Sequence, residues 1–371
     1  MDRRPSRRAR AAQWLLLLAV VAAGWLLASN AADNLAARHM RVGFGFLGDT
    51  ANFDIPFRLI GWDVSDTYAR ALLVCTLNTL LVSGLAIVAA TLLGLLVGIM
   101  RLSANWLVRS IALAFIELIR NTPQLVQIIF WYVAVLQTLP PPRHSIALPG
   151  GLLLNIRGLY LPDLDTGAGA EILTPVAVAL LAATPFAWRW RLRGRRIGAR
   201  ALLLPLLAVV IFACGIGHVE WPVMRGFNIA GGIQVPPELV AVWAGLFIYA
   251  AAFIAEIVRA AILAVPHGQR EAALSLGLTP GQVLRRVVLP QALRVMVPPM
   301  TSQYLNIIKG SSLGAAVAYP ELFQIFAGTV LNQSGREIET IVILMAIFLA
   351  ISLLTSAFMN WYNRRVALVE R

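Results

Sequence analysis

Lysine is almost missing from this chain: Lys309 is the only one among 371 residues. A loop that cradles ATP phosphates needs a glycine-rich run ending Gly-Lys-Ser or Gly-Lys-Thr. Ile308 and Gly310 flank the single lysine, so no such loop exists here. Cysteine is as scarce. Cys75 and Cys214 both lie in apolar runs and form no CxxC, which reads as two small hydrophobes rather than redox chemistry. The four histidines (His39, His144, His218, His267) are scattered without metal-ligand spacing such as HExxH, so no metal site is expected. They also have no evident Ser or Asp partner for nucleophilic catalysis, and the chain is not expected to be an enzyme.

Charge is the other shortage. Charged residues make up 13% of the chain, against about 25% in soluble domains. Hydrophobic residues make up 59%, and the mean hydropathy is +0.75. An all-α, polytopic integral membrane protein is expected, with about eight spans of about 20 residues each. The formal net charge of +13 could suggest nucleic acid. The arginines, however, lie between apolar runs rather than on one surface, so they mark cytoplasmic flanks and no nucleic-acid partner is expected.

Residues 1–70 open with Arg3, Arg4, Arg7, Arg8 and Arg10, followed by an apolar run over about 14–28. A signal peptide shares that layout, with a conceivable cleavage site near Ala28-Ser29-Asn30-Ala31. An uncleaved first span is preferred because further spans follow. Residues 30–70 read as an outer segment. The first part of the core, 71–139, holds a span to Met100 whose Gly84, Gly94 and Gly98 would admit a neighbouring helix closely. A mostly apolar segment follows, containing Glu117, Arg120, Asn121, Thr122, Pro123 and Gln124. Glu117 and Arg120 are three apart and could neutralise one another on a helix.

Residues 140–237 read as an insertion. Outer loops at 140–171 and 219–237 bracket two extra spans at about 172–188 and 201–217, with an arginine-rich cytoplasmic turn between them. Residues 238–371 hold a span over 238–265, then a polar-flanked stretch, then a span over 293–318 broken by Pro298-Pro299. An outer loop at 321–339 and a last span at 340–361 close the chain. Basic residues concentrate on the segments this layout places inside, which puts both termini in the cytoplasm. On the span over 293–318, Gln303, Asn306, Lys309 and Ser312 recur every three residues and form one polar stripe. Such a stripe must face a cavity or other helices, either as part of a solute path or as interhelical hydrogen bonds.

The stretch Glu271-Ala272-Ala273-Leu274-Ser275-Leu276-Gly277-Leu278-Thr279-Pro280-Gly281-Gln282, running on to Leu289-Pro290, carries the most specific pattern. It reads as a short helix that stops at Gly277. A second helix then starts with Thr279 and Gln282 as a capping box and Pro280 at its first position. This stretch resembles the EAA loop of ABC importer permeases. The run Glu-Leu-Ile-Arg-Asn-Thr-Pro-Gln-Leu-Val-Gln from Glu117 to Gln127 resembles a segment of permeases for polar amino acids.

That resemblance implies a type I ABC importer permease fold in the bacterial inner membrane, translocating polar L-amino acids. It implies an ATPase-coupling loop of Glu271, Ala272, Ala273, Gly277, Leu289 and Pro290. A substrate path is expected at Arg120, Thr122, Gln124, Asn306, Lys309 and Ser312. Implied partners are a cytoplasmic ATPase, a second permease subunit (most simply a sister chain), a periplasmic amino-acid-binding protein and membrane lipid. This chain would hold no cofactor, since ATP and magnesium belong to the ATPase. Two alternatives stay open at this point: an ATP-independent secondary transporter, and a permease for another small polar solute such as an opine. The transported amino acid is not encoded in any motif found.

Overall fold

The computed structural model describes residues 7–37, 43–166, 216–226 and 228–366. The apolar runs at 172–188 and 201–217 lie outside these residues, except for Ile216 and Gly217. The described chain is mostly helical. Three of its helices are long and apolar enough to cross a membrane: Tyr68–Met100, Pro237–Leu263 and Glu337–Arg365. Shorter apolar helices cover Ala12–Leu26 and Gln124–Leu136.

Two compact units form, one from Met1–Leu77 with Leu322–Ile351 and the other from Asn78–Glu321 with Ser352–Arg371. The first unit contains α1 (Arg7–Ala37), the start of α2 (Tyr68–Met100) and the start of α10 (Glu337–Val366). Its core gathers Phe46, Ile55, Trp62, Tyr68 and Val74 with Leu322, Ile325 and Phe326. Cys75 is fully buried there, as a small hydrophobe would be. Residues 321–339, expected as a loop, are largely helical: a wide π-helical run spans Gln324–Val330 and α9 spans Leu331–Ser334. Leu322, Ile325, Phe326 and Val330 fall on one helix face and are all buried, within an apolar run too short to read as a span.

In the second unit, α3 (Trp106–Arg120) starts where Asn105 Oδ1 accepts the Leu107 N–H at 2.9 Å. It stops before Pro123, because a residue preceding proline is pushed out of helical conformation. The chain resumes as α4 (Gln124–Ile129), which widens into a π-helical turn at Phe130–Leu136. The two segments expected as outer loops hold short antiparallel strands. β1 (Ile146–Leu148), β2 (Leu152–Asn155), β3 (Gly158–Leu161) and β8 (Ile233–Val235) form one sheet in the order β1-β2-β3-β8. β4 (Asp163–Thr166) pairs with β5 (Ile216–Glu220), and β6 (Val223–Arg225) with β7 (Asn228–Ala230). Strands this short carry too little alternation to stand out from loop.

Pro236 leads from β8 into α5 (Pro237–Leu263), around which this unit packs. The buried face of α5 is rich in alanine, including Ala241, Ala250, Ala251, Ala252 and Ala255. α2 meets it through glycine: a Cβ on Gly94 would lie 2.5 Å from Ile254 Cγ2, and one on Gly98 2.8 Å from the Ala255 oxygen. α4 presents Ile128 to Gly245, where a Cβ would sit 2.4 Å from Ile128 Cγ1. Ala112 and Ile116 of α3 join Val97 and Ala255 in a small buried cluster. Gly84, grouped with Gly94 and Gly98 in the sequence, has nothing within 4 Å of its missing Cβ.

Gly94→Leu should therefore destabilise this packing by about 1–3 kcal/mol, the usual cost of overpacking. Gly84→Leu should leave the isolated chain unchanged. Thermal unfolding of both variants in detergent checks the contrast; equal melting midpoints would refute the α2–α5 contact.

Candidate functional site

Three residues after α5 the chain turns into α6 (His267–Ser275), which carries the Glu-Ala-Ala triplet. Its end is capped by two crossing hydrogen bonds: the Gly277 N–H reaches the Leu274 oxygen at 2.9 Å, and the Leu278 N–H reaches the Ala273 oxygen at 3.2 Å. That pattern is a Schellman cap, and it needs its Gly277 position in left-handed backbone. Gly277 has φ +82°, as the cap demands. The start of α6 is tied back as well: Arg270 Nη2 donates to the Ile262 oxygen at 2.9 Å, satisfying a carbonyl in the last turn of α5. α6 is thus a short helix, capped at its C-terminal end and tied through Arg270 to the end of the helix at the centre of its unit.

Its exposed side holds Glu271, which pairs with His267 Nδ1 one turn earlier at 3.0 Å. Ala272 is exposed beside it, whereas Ala273 is 5% exposed and packs inward. The two alanines therefore serve different faces. Leu276, not singled out from the sequence, is 83% exposed at the tip, and Leu274 is 49% exposed. A leucine that open next to a rigid cap reads as an unpartnered contact residue; its signal in sequence was an apolar residue at a helix end just before the capping glycine.

α7 (Pro280–Val283) begins where Gln282 Oε1 accepts the Thr279 N–H at 3.0 Å, the arrangement a capping box requires. Leu289 and Pro290 do not end a helix. A π-helical turn at Leu284–Val288 precedes them, with the Leu289 N–H reaching back to the Leu284 oxygen, and α8 (Leu289–Gly310) continues from there. The wide turn accommodates Pro290, whose ring cannot sit in tight helical register and which has no N–H to give.

The polar stripe lies on α8 and the 3-10 turn at Ser311–Val317. Asn306 and Lys309 are exposed, and Gln303 and Ser312 are half-buried. Lys309 forms no ion pair among the described residues. Gln124 lies against Gly310, where a Cβ would sit 3.2 Å from its Nε2, so one member of the α3–α4 group reaches the helix that carries the stripe. Arg120 does not; its guanidinium lies 5.1 Å above the Phe253 ring of α5. The Glu117–Arg120 pair that helical spacing allows is not formed, and Glu117 instead accepts from Asn121 Nδ2 at 3.3 Å. Stacking on Phe253 offers the weakly hydrated guanidinium an apolar seat that a surface ion pair does not.

Thr122 is a local cap. Its hydroxyl contacts the Leu118 and Ile119 oxygens and accepts from Gln127 Nε2 at 2.7 Å. Gln127, the last residue of the run from Glu117, is buried and also donates to the Ile119 oxygen at 3.0 Å, clamping the break at Pro123. Thr91 and Tyr304 share a 2.9 Å hydrogen bond between α2 and α8, invisible in sequence at a separation of 213 residues. The run Gly310-Ser311-Ser312-Leu313-Gly314 has the G-x-S-x-G spacing of hydrolase nucleophiles. Here it continues a helix, not a strand, and Ser312 Oγ donates to the Lys309 oxygen at 2.8 Å. That hydroxyl is occupied as a helix-end contact.

The family model described as "Binding-protein-dependent transport system inner membrane component" matches residues 90–368. The putative amino-acid ABC transporter permease protein YhdX of Escherichia coli is 48% identical over 379 aligned positions, covering 99% of this chain and 96% of that protein. The general L-amino acid transport system permease protein AapQ of Rhizobium johnstonii is 44% identical, with coverages of 99% and 94%. The glutamate/glutamine/aspartate/asparagine transport system permease protein BztB of Rhodobacter capsulatus is 37% identical, with coverages of 96% and 93%.

At Gly277 a side chain would meet nothing within 4 Å, so any cost of substitution is conformational. Gly277→Val should lose roughly 1–2 kcal/mol at the cap, the cost of left-handed backbone for an L-residue. Amide exchange in α6 should rise about tenfold. Unchanged protection of Leu276 to Leu278 by hydrogen-exchange mass spectrometry would show that the cap does not hold the helix end.

Proposed function

We propose the following reading from one premise: the chain belongs to the family of binding-protein-dependent transport system inner membrane components. It is the membrane-spanning subunit of an ABC importer that moves polar L-amino acids across the bacterial inner membrane. The relatives described as general L-amino acid and glutamate/glutamine/aspartate/asparagine permeases support that substrate class. The observation that carries the mechanism is the capped, exposed α6 tied to the end of α5.

A separate cytoplasmic ATPase docks on α6. Leu276 enters an apolar pocket of that subunit while Glu271 makes a polar contact at its rim, and Gly277 holds the tip in place. ATP and magnesium act in the partner, since this chain has no phosphate loop. A periplasmic amino-acid-binding protein delivers solute, and a second permease subunit, a sister chain, completes the pathway. Both termini lie in the cytoplasm.

Closure of the ATPase pair pushes on α6. The Arg270 bond to the Ile262 oxygen passes that displacement to α5, and close contacts at Gly94, Gly98 and Gly245 carry it to α2 and α4. The helices move together because such tight contacts leave no room for sliding. The subunit then alternates between inward-open and outward-open states. Asn306 and Lys309 line the solute path, since uncovered polar groups at membrane depth require a partner or a water-filled cavity.

Pull-down from detergent-solubilised membranes tests the docking role, wild type against a Glu271→Lys, Gly277→Asp double variant. An ATPase captured by the wild type and lost from the variant supports the reading. Capture by both overturns the role of α6, and capture by neither points to an ATP-independent transporter. Separately, Lys309→Ala should lower amino-acid uptake about tenfold, equivalent to roughly 1.4 kcal/mol, at normal assembly. Wild-type uptake by that variant would remove Lys309 from the path.

A further inference from the structure

Behind α6 lies a cavity of about 830 Å³ to which the proposed coupling role assigns no occupant. Its walls come from the end of α2, the end of α5 and the α6–α8 segment, and are mainly aliphatic, including Leu96, Ile99, Leu263, Leu274, Leu284 and Leu289. The size falls in the range of about 300–1,000 Å³ typical of ligand sites. Among its lining residues are two cations, Arg270 and Arg285, and no acid. Arg270 Nε is buried with no hydrogen-bond partner among the described residues, although the Nη2 of the same side chain is engaged. A buried guanidinium N–H without an acceptor is costly, so the positive charge of Arg270 is only partly satisfied by the chain.

We propose that this cavity holds an acyl chain of an anionic phospholipid, with the headgroup phosphate on Arg270 and Arg285. An apolar floor with a purely cationic rim complements an amphiphile whose head is negative. Guanidinium groups match phosphate oxygens in geometry as well as charge. The position is consistent with the same occupant: α2 and α5, both long and apolar enough to span a membrane, end beside the cavity at Met100 and Leu263. A soluble polar metabolite would leave the aliphatic walls unfilled, and Ser103 is the only other polar lining residue to orient it. That the supplying leaflet is the cytoplasmic one rests on the topology proposed above. A lipid seated there packs the back of α6, so its presence would stiffen the lever on which the ATPase acts.

The test counts lipids retained by the full-length chain, with whatever subunits copurify. The protein is taken from nanodiscs of phosphatidylcholine doped with phosphatidylglycerol and read by native mass spectrometry. Wild type should keep a bound phosphatidylglycerol. Arg285→Gln, at an exposed position, should reduce its retention about tenfold by removing the phosphate contact. Ser103→Trp should do the same by filling the cavity with both arginines intact. Equal retention in wild type and both variants would overturn the site. Retention of phosphatidylcholine in place of phosphatidylglycerol would overturn the anionic headgroup, and displacement by glycerol 3-phosphate would overturn the acyl anchor. Loss of bound lipid on ATPase docking would assign the cavity to the partner subunit and overturn the proposal. Because the readout is lipid count, it stands whether or not an ATPase copurifies.

Discussion

Lipid tails are as apolar as leucine, so no hydrophobic force drives membrane helices together once they are inserted. Close packing must supply the cohesion, and in the larger unit it runs along α5. The alanines on its buried face, with Gly94, Gly98 and Gly245 at the crossings, let backbones and short side chains approach within van der Waals distance. Each atom pair contributes little, and the sum depends on there being no gap. A helix held that tightly over its length is a good rod, and α6 is attached to its end.

The local irregularities serve that rod. Gly277 ends α6 in left-handed backbone without steric cost, Pro290 is absorbed by a π-helical turn, and Pro123 breaks α3 from α4 under the clamp of Gln127. Each place where regular helix fails leaves backbone groups to satisfy, and in a membrane protein they must be satisfied within the chain. Side chains do so at Thr122, Gln127 and Arg270. The polar residues of this unit therefore divide into those spent on backbone, such as Thr122, and those left open, such as Asn306 and Lys309.

The sequence made some of this legible and some not. The end of α6 and the start of α7 were readable because caps are local, decided by residue types within four positions of one another. The long apolar helices were readable from length alone. The helical segment after Glu321 was missed because its mostly apolar run, 322–331, is too short for a span and leads into the polar stretch at 332–337. The small sheets in the insertion were missed because strands of three to five residues show too little period. Glu117 and Arg120 sat at helix-pair spacing, yet an aromatic face from α5 took the arginine.

Membrane character, helix ends, the capped Glu-Ala-Ala element and the absence of a phosphate loop were thus determined by the sequence itself, since each depends on composition or on neighbours along the chain. Tertiary structure alone decided which glycines are contacts, Gly94 and Gly98 but not Gly84, and which alanine of the triplet faces outward. It alone joined Thr91 to Tyr304 and built the arginine-rimmed cavity behind α6. The reason is distance along the chain. A helical period says which residues share a face, but what that face meets is set by segments far away in sequence, brought together only when the helices pack.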